Sequence, residues 1–158
     1  MALIVMDVDG FKGINDTYGH QVGDRALREV AAVLQGGLRP YDLCVRYAGD
    51  EFIIVITDCS REAADAKRRE LQERIEEIRL EARPGRPIRL AVSAGAAVFP
   101  EDGATYEALL ADADHQMYRD KAARRAARTP QPAARPADFV APVLVEAPAA
   151  TRPTVRVS

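Results

Sequence analysis

The sequence predicts an α+β domain in which two β-α-β halves are joined by a hairpin, giving a central antiparallel sheet flanked by helices. Three observations carry that prediction. Short apolar or β-rich runs occur at residues 2–6, 43–47, 52–57 and 88–99, most of them of ordinary strand length. Segments with apolar residues at helical spacing lie between and after them. Only the link 48–51 is short and contains a glycine, which is the signature of a hairpin. The element order that results is β-α-β-β-α-β-α.

Each element has its own justification. Residues 2–6 are wholly apolar, as suits a strand buried on both faces. Residues 23–38 place Ala26, Leu27, Val30, Val33 and Leu34 on one helical face, and Gly36-Gly37 loosens the end. The hairpin strands follow at 43–47 and 52–57. Ser60 is an N-cap residue for a helix with the stripe Ala64, Leu71, Ile75 and Ile78, ended by Pro84-Gly85. Residues 88–99 form a strand stopped by Pro100. A last helix runs from Thr105 to about Arg128, with Leu109, Leu110, Ala113 and Met117 on its inner face. Beyond it, six of the ten prolines and seven alanines fall in the last 30 residues. At that density proline breaks helices and spoils central strands. Residues 1–128 are therefore expected to be the domain. Residues 129–158 are expected to be a disordered tail, with docking by its apolar stretch 139–145 at most transient.

Composition excludes several functions. There are 22 basic and 24 acidic residues and a net charge of −2, a balance that argues against bulk electrostatic binding to nucleic acid or an anionic membrane. Apolar runs are far shorter than a bilayer span. The start lacks the basic n-region of a signal peptide. Cys44 and Cys59 make neither a disulfide framework nor a zinc site. A soluble domain of a reducing compartment, the cytoplasm, is expected.

The chemistry concentrates in acidic pairs at strand ends. Asp7-Val8-Asp9 lies where the first strand ends, and Asp50-Glu51 lies at the hairpin tip. Alone, each pair marks a solvated turn. In a split sheet the first strand neighbours the hairpin, so the pairs face one another, and carboxylates so placed call for a hard cation. Mg²⁺ with few protein ligands, completed by substrate phosphates, fits that chemistry.

The segment 46–52, Arg-Tyr-Ala-Gly-Asp-Glu-Phe, resembles the signature hairpin of GGDEF domains, the bacterial diguanylate cyclases. The resemblance extends to residues 7–24, to Ser93-Ala94-Gly95, and to Ala111-Asp112, Met117-Tyr118 and Lys121, covering nearly all of residues 2–126. It implies a palm-like fold, related to ferredoxin-like and adenylate-cyclase-like domains. It implies that two GTP molecules are joined into cyclic di-GMP with release of pyrophosphate, at the interface of a homodimer.

Site residues follow from the same resemblance. Asp7, the Val8 carbonyl and Asp50 match the positions that hold Mg²⁺ (or Mn²⁺). Asp50 also occupies the position of proton acceptor, and Glu51 either binds the metal or relays the proton. Asn15 and Asp24 match the readers of the guanine edge, and His20 a further substrate contact. Lys12 faces the phosphates, with Gly10, Phe11 and Gly49 beside it. Lys121 and Arg125, one helical turn apart, match the phosphate clamps of the last helix. Arg39 and Asp42, an Arg-x-x-Asp before the hairpin, match an inhibitory site for cyclic di-GMP. Without the family, Asn15, Gly19 and Gly23 read as loop formers, with Asp24 in the first turn of the next helix.

Departures from the family pattern are equally specific. Ala48 stands for the first glycine of the signature, a position where glycine would allow positive φ. Asp120, Arg124 and Ala126 stand where relatives usually have Ala, Gly and Asn. The helical segment with an Asp-x-Leu-Thr turn that normally precedes the first strand is not in the sequence, which points to a start assigned too far downstream or to a fragment. Two other readings are a catalytically impaired module that binds cyclic di-GMP or GTP, and a relic with no nucleotide role. The intact Asp7, Lys12, Asn15, Asp24, Asp50 and Glu51 weigh against the relic.

Overall fold

The structure, a computed structural model, describes residues 1–128; the expected tail at 129–158, including 139–145, lies outside the described residues. In chain order the elements are β1 (Ala2–Val8), α1 (Phe11–Tyr18), α2 (His20–Gly36), β2 (Leu43–Ala48), β3 (Glu51–Ile56), α3 (Arg61–Glu76), β4 (Arg79–Arg83), β5 (Arg86–Arg89), β6 (Val92–Val98) and α4 (Tyr106–Arg128). The four long strands form one sheet in the order β2-β3-β1-β6, antiparallel throughout. This is the expected split arrangement, with β1 beside the hairpin.

β1 is buried at every residue, which explains its unbroken apolar character: it has no solvent face to alternate with. Ile4, Met6 and Val8 join Phe52, Ile54 and Ile56 in the larger core, with Ala26, Leu27, Val30 and Leu34 of α2 and Leu71 and Ile75 of α3. Leu3, Val5, Ile53 and Ala97 face the other way and meet Leu109, Ala113 and Met117 of α4. Each of the larger side chains among these (Val, Leu, Ile, Phe or Met) stabilises the fold by roughly 1.5–3 kcal/mol when fully buried. Caps set two helix starts. The Ser60 hydroxyl accepts from the Ala63 amide at 3.2 Å, and the Thr105 hydroxyl accepts from the Ala108 amide at 3.2 Å. α4 covers Leu3, Val5 and Ile53 but leaves Leu43, Val45 and Tyr47 of β2 exposed.

Three elements depart from the expected order. Residues 11–18, expected as loop, form α1, because Phe11, Ile14 and Tyr18 pack together against the larger core and outweigh the poor propensities of Gly13, Asn15 and Thr17. The helix expected to reach Pro84 ends at Glu76. Residues 79–89 instead form a two-stranded hairpin, β4-β5. Pro84-Gly85, expected to end the helix, is its turn, with Gly85 at φ 70°. Leu80, buried between exposed Arg79 and Glu81, shows the period-2 alternation that a longer helical reading obscures. The strand expected over 88–99 is divided accordingly between β5 and β6.

The backbone of α4 lies directly on β6 at Gly95, where an added Cβ would come 2.0 Å from the Ala113 carbonyl oxygen and 2.4 Å from the Met117 nitrogen. Backbone cannot yield as a flexible side chain does. Gly95→Ala is therefore expected to cost about 2–3 kcal/mol, seen as a lower urea midpoint with an unchanged m-value.

Candidate active site

The end of β1 and the tip of the hairpin meet through the backbone. Asp7 is paired in register with Glu51, and the Val8 amide donates to the Asp50 carbonyl at 3.2 Å. The tip itself is closed by Arg46, whose Nε donates to the Gly49 carbonyl at 2.8 Å. Gly49 has φ 52°, but Asp58 is the only non-glycine with positive φ among the described residues. Ala48 therefore sits in ordinary strand conformation. The expected need for glycine falls at Gly49 and not at Ala48.

The acids so gathered are mutually unfavourable. Burial pushes the Asp50 carboxyl above the usual range and the charge of Asp7 adds to it, with Lys121 and Arg46 among the opposing effects. Glu51 is raised by burial, then by Asp7, Asp50 and Asp114, with Lys121 again opposing. Asp7 is 8% exposed and is met by the Lys121 ammonium at 2.6 Å from Oδ1. Asp9 does not join the group: its carboxylate accepts from the Ser93 hydroxyl at 2.7 Å. Among the described residues there is no cluster of three or more His, Cys, Asp or Glu suited to a metal. The carboxylates of Asp7 and Asp50 are near enough for the charge of Asp7 to act on Asp50, and with the Val8 carbonyl they are all oxygen donors. Such a set fits a hard cation that takes its remaining ligands from phosphate and water.

α1 and α2 carry the residues expected at the nucleotide. Gly10, at φ 70°, turns the chain from β1 into α1, which brings Phe11 against the core and leaves Lys12 exposed. Asn15 lies on α1, not on a loop. Its Oδ1 is buried without a hydrogen-bond partner and sits only 1.9 Å from where a Cβ on Gly23 would stand. His20 opens α2 and is exposed. Because α2 starts at His20, Asp24 lies beyond its first turn, so the helix-dipole role expected for it is not the one it has. Asp24 instead lines a cleft of about 400 Å³ with Leu27, Arg28, Cys44, Arg46 and Phe52.

Arg125 follows Lys121 on α4 at i+4 and is exposed. Between them, Asp120 and Arg124 form a network that was not foreseen. The Asp120 carboxylate accepts from the Ala94 amide at 2.9 Å and from Gln72 at 2.8 Å, while Arg124 pairs with Glu76 at 2.6 Å. The sequence signal was present in their departure from the family pattern. At the other expected site, Asp42 accepts from the Arg39 amide at 3.0 Å and the Thr57 amide at 3.3 Å. This carboxylate thus fastens the turn to the end of β3, with the Arg39 side chain exposed nearby.

The family model described as "Diguanylate cyclase, GGDEF domain" matches residues 1–127. The chain belongs to the GGDEF domain family. It is 40% identical over 118 residues to the diguanylate cyclase DosC of Escherichia coli K12, covering 75% of this chain and 25% of that protein. It is 38% identical over 131 residues to the response regulator PleD of Caulobacter vibrioides, covering 79% of this chain and 28% of that one. Among solved structures, the GGDEF domain of PA1120 (YfiN or TpbB) from Pseudomonas aeruginosa superposes with a TM-score of 0.70 at 36% identity, covering 77% of this chain and 76% of that chain. The GGDEF domain of DgcB from Caulobacter crescentus, solved in complex with c-di-GMP, gives 0.70 at 30%, covering 77% and 72%. The chain thus spans about a quarter of the curated relatives, and its α+β fold is theirs in that shared part. Among the described residues, no helix of this GGDEF domain is long and apolar enough to cross a membrane.

The crowding of acids yields a direct test. Asp7→Asn removes one of the charges that raise Asp50 and Glu51 and leaves Lys121, which lowers both. Both carboxyls are expected to titrate at lower pH in that variant, read by carboxyl-carbon NMR.

Proposed function

We propose that this GGDEF domain is a diguanylate cyclase, condensing two GTP into cyclic di-GMP and two pyrophosphates as a homodimer in the cytoplasm. The observation that carries the reading is the carboxylate pair of Asp7 and Asp50, facing Lys121 at the end of β1. Asp7, Asp50 and the Val8 carbonyl would hold Mg²⁺ or Mn²⁺. When bound, the cation supplies charge neutralisation at the phosphates and acidifies the attacking hydroxyl.

The protein's own groups account for the rest. Asn15 carries an unpartnered amide oxygen, buried against α2, that a side-chain rotation would turn to the base, and Asp24 carries an exposed carboxylate. Guanine presents N1–H and a 2-amino group as donors to such acceptors, a pair that adenine lacks. Lys12, Lys121 and Arg125, with the amides of Gly10 and Phe11, would bind the triphosphate. His20 and Gly49 would flank it. Each 3′-oxygen attacks the α-phosphorus of the partner GTP, the bond to the β-phosphate oxygen breaks, and pyrophosphate leaves. The hydroxyl proton passes to the carboxylates of the hairpin tip, with Asp50 as acceptor or Glu51 as relay. Because one chain presents one such site, two chains must face each other. Arg39, stacking on guanine, and Asp42 would form the inhibitory product site.

The test is incubation of the chain with GTP and Mg²⁺, followed by chromatography. Cyclic di-GMP is expected, and Asp50→Ala should reduce its formation at least about a hundredfold. If no product forms, while cyclic di-GMP binds and Arg39→Ala abolishes that binding, the domain is a binding module and the cyclase reading is wrong.

Asn15→Ala removes one base contact. It is expected to raise KM for GTP about tenfold, the equivalent of one good hydrogen bond, in steady-state kinetics.

A further inference from the structure

We propose that Asp120 is a positioning residue: it fixes the seat of α4 on the rim of the sheet and thereby holds the Lys121 ammonium on Asp7. Its Oδ2 is shared by three elements. It accepts from the Ala94 amide of β6 at 2.9 Å, from Gln72 Nε2 of α3 at 2.8 Å and from Arg124 Nε of α4 itself at 3.1 Å. These donors are themselves held. Gln72, only 4% exposed, also donates to the Val92 carbonyl at 3.0 Å and accepts from Arg68 at 2.8 Å. Arg124 is anchored to Glu76 at 2.6 Å.

The geometry connects this network to the acids. Ala94 is the register partner of Met6, the residue before Asp7. Lys121 follows Asp120 and is turned about 100° around the helix axis, which directs it to Asp7 Oδ1 at 2.6 Å. Two consecutive residues of α4 thus bind two adjacent rows of the sheet. Gly95 lets the helix come close, but a smooth contact does not set its height along the strand. A directional hydrogen bond to a main-chain amide does. Asp120 and Arg124, two of the residues that depart from the family pattern, are both members of this network.

The inference rests on the cyclase reading only for what Lys121 does in turnover; its seat is measured without substrate. The chain has three lysines, Lys12, Lys67 and Lys121, so reductive methylation with peptide mass spectrometry reads each amine separately. With the full chain folded by circular dichroism and no metal added, Asp120→Ala is expected to raise the labelling rate of Lys121 about fivefold, the size of a lost ion pair. Lys12 should be unchanged, and Asp120→Asn, which keeps an acceptor for the Ala94 amide, should give a smaller rise. Leu34→Ala, a core change on α2, is the control for general destabilisation and should leave Lys121 unchanged. With GTP, Asp120→Ala should raise KM more than it lowers kcat. An unchanged Lys121 rate in Asp120→Ala overturns the proposal, as does an equal rise in Leu34→Ala. Should Asp120→Ala not fold, an unchanged rate in Asp120→Asn overturns it equally. Failure of the cyclase reading would show separately, as absence of product from the unsubstituted chain.

Discussion

A carboxylate at the end of a strand buried along its whole length is the constraint around which this domain is arranged. Asp7 follows five buried apolar residues and is itself nearly inaccessible, so its charge requires compensation from inside the protein. Lys121 provides it across 114 positions of sequence. To do so, α4 must run along the sheet with its backbone almost touching β6, and that approach is possible only because residue 95 has no side chain. The central strand, the closing helix and one glycine are therefore one arrangement. The hairpin completes it by bringing Asp50 and Glu51 to the same place, where burial and the charge of Asp7 raise the pKa of both carboxyls.

How much of this was legible in the sequence depended on where the decisive contacts lie. β1, the 43–57 hairpin and the inner faces of α2, α3 and α4 follow from local apolar spacing, and Ser60 caps α3 as its residue type implies. α1 was not legible from propensity, since Phe11, Ile14 and Tyr18 form a helix only against a core assembled from distant strands. β4-β5 was hidden because its arginines and glutamate read as the solvated face of a continuing helix. In the site, strand-end acids and a basic helix could be placed from the sequence. Which acid pairs with which base could not: Asp9 turned to Ser93, and Asp120 took up the β6 rim. Those choices are made by register between strands and by the height of a helix, neither of which is written in any single segment.

The turn before the hairpin leaves room for two roles on one residue. Asp42 holds the amides of Arg39 and Thr57, yet each carboxylate oxygen has a further lone pair to offer a ligand. The same groups can thus shape the loop and recognise a guest, provided the guest approaches from the exposed side where Arg39 stands.

Asn15 and Gly23 carry a different consequence. The amide oxygen of one helix occupies the volume that any side chain on the other would need, so the two helices are keyed to each other by an empty position. Under the proposed contact of Asn15 with the base, recognition and helix packing are one variable. A residue change that looks like a modest addition of bulk on α2 would act as an alteration of ligand preference, and selection for a different nucleobase would first have to find a new way of packing α1.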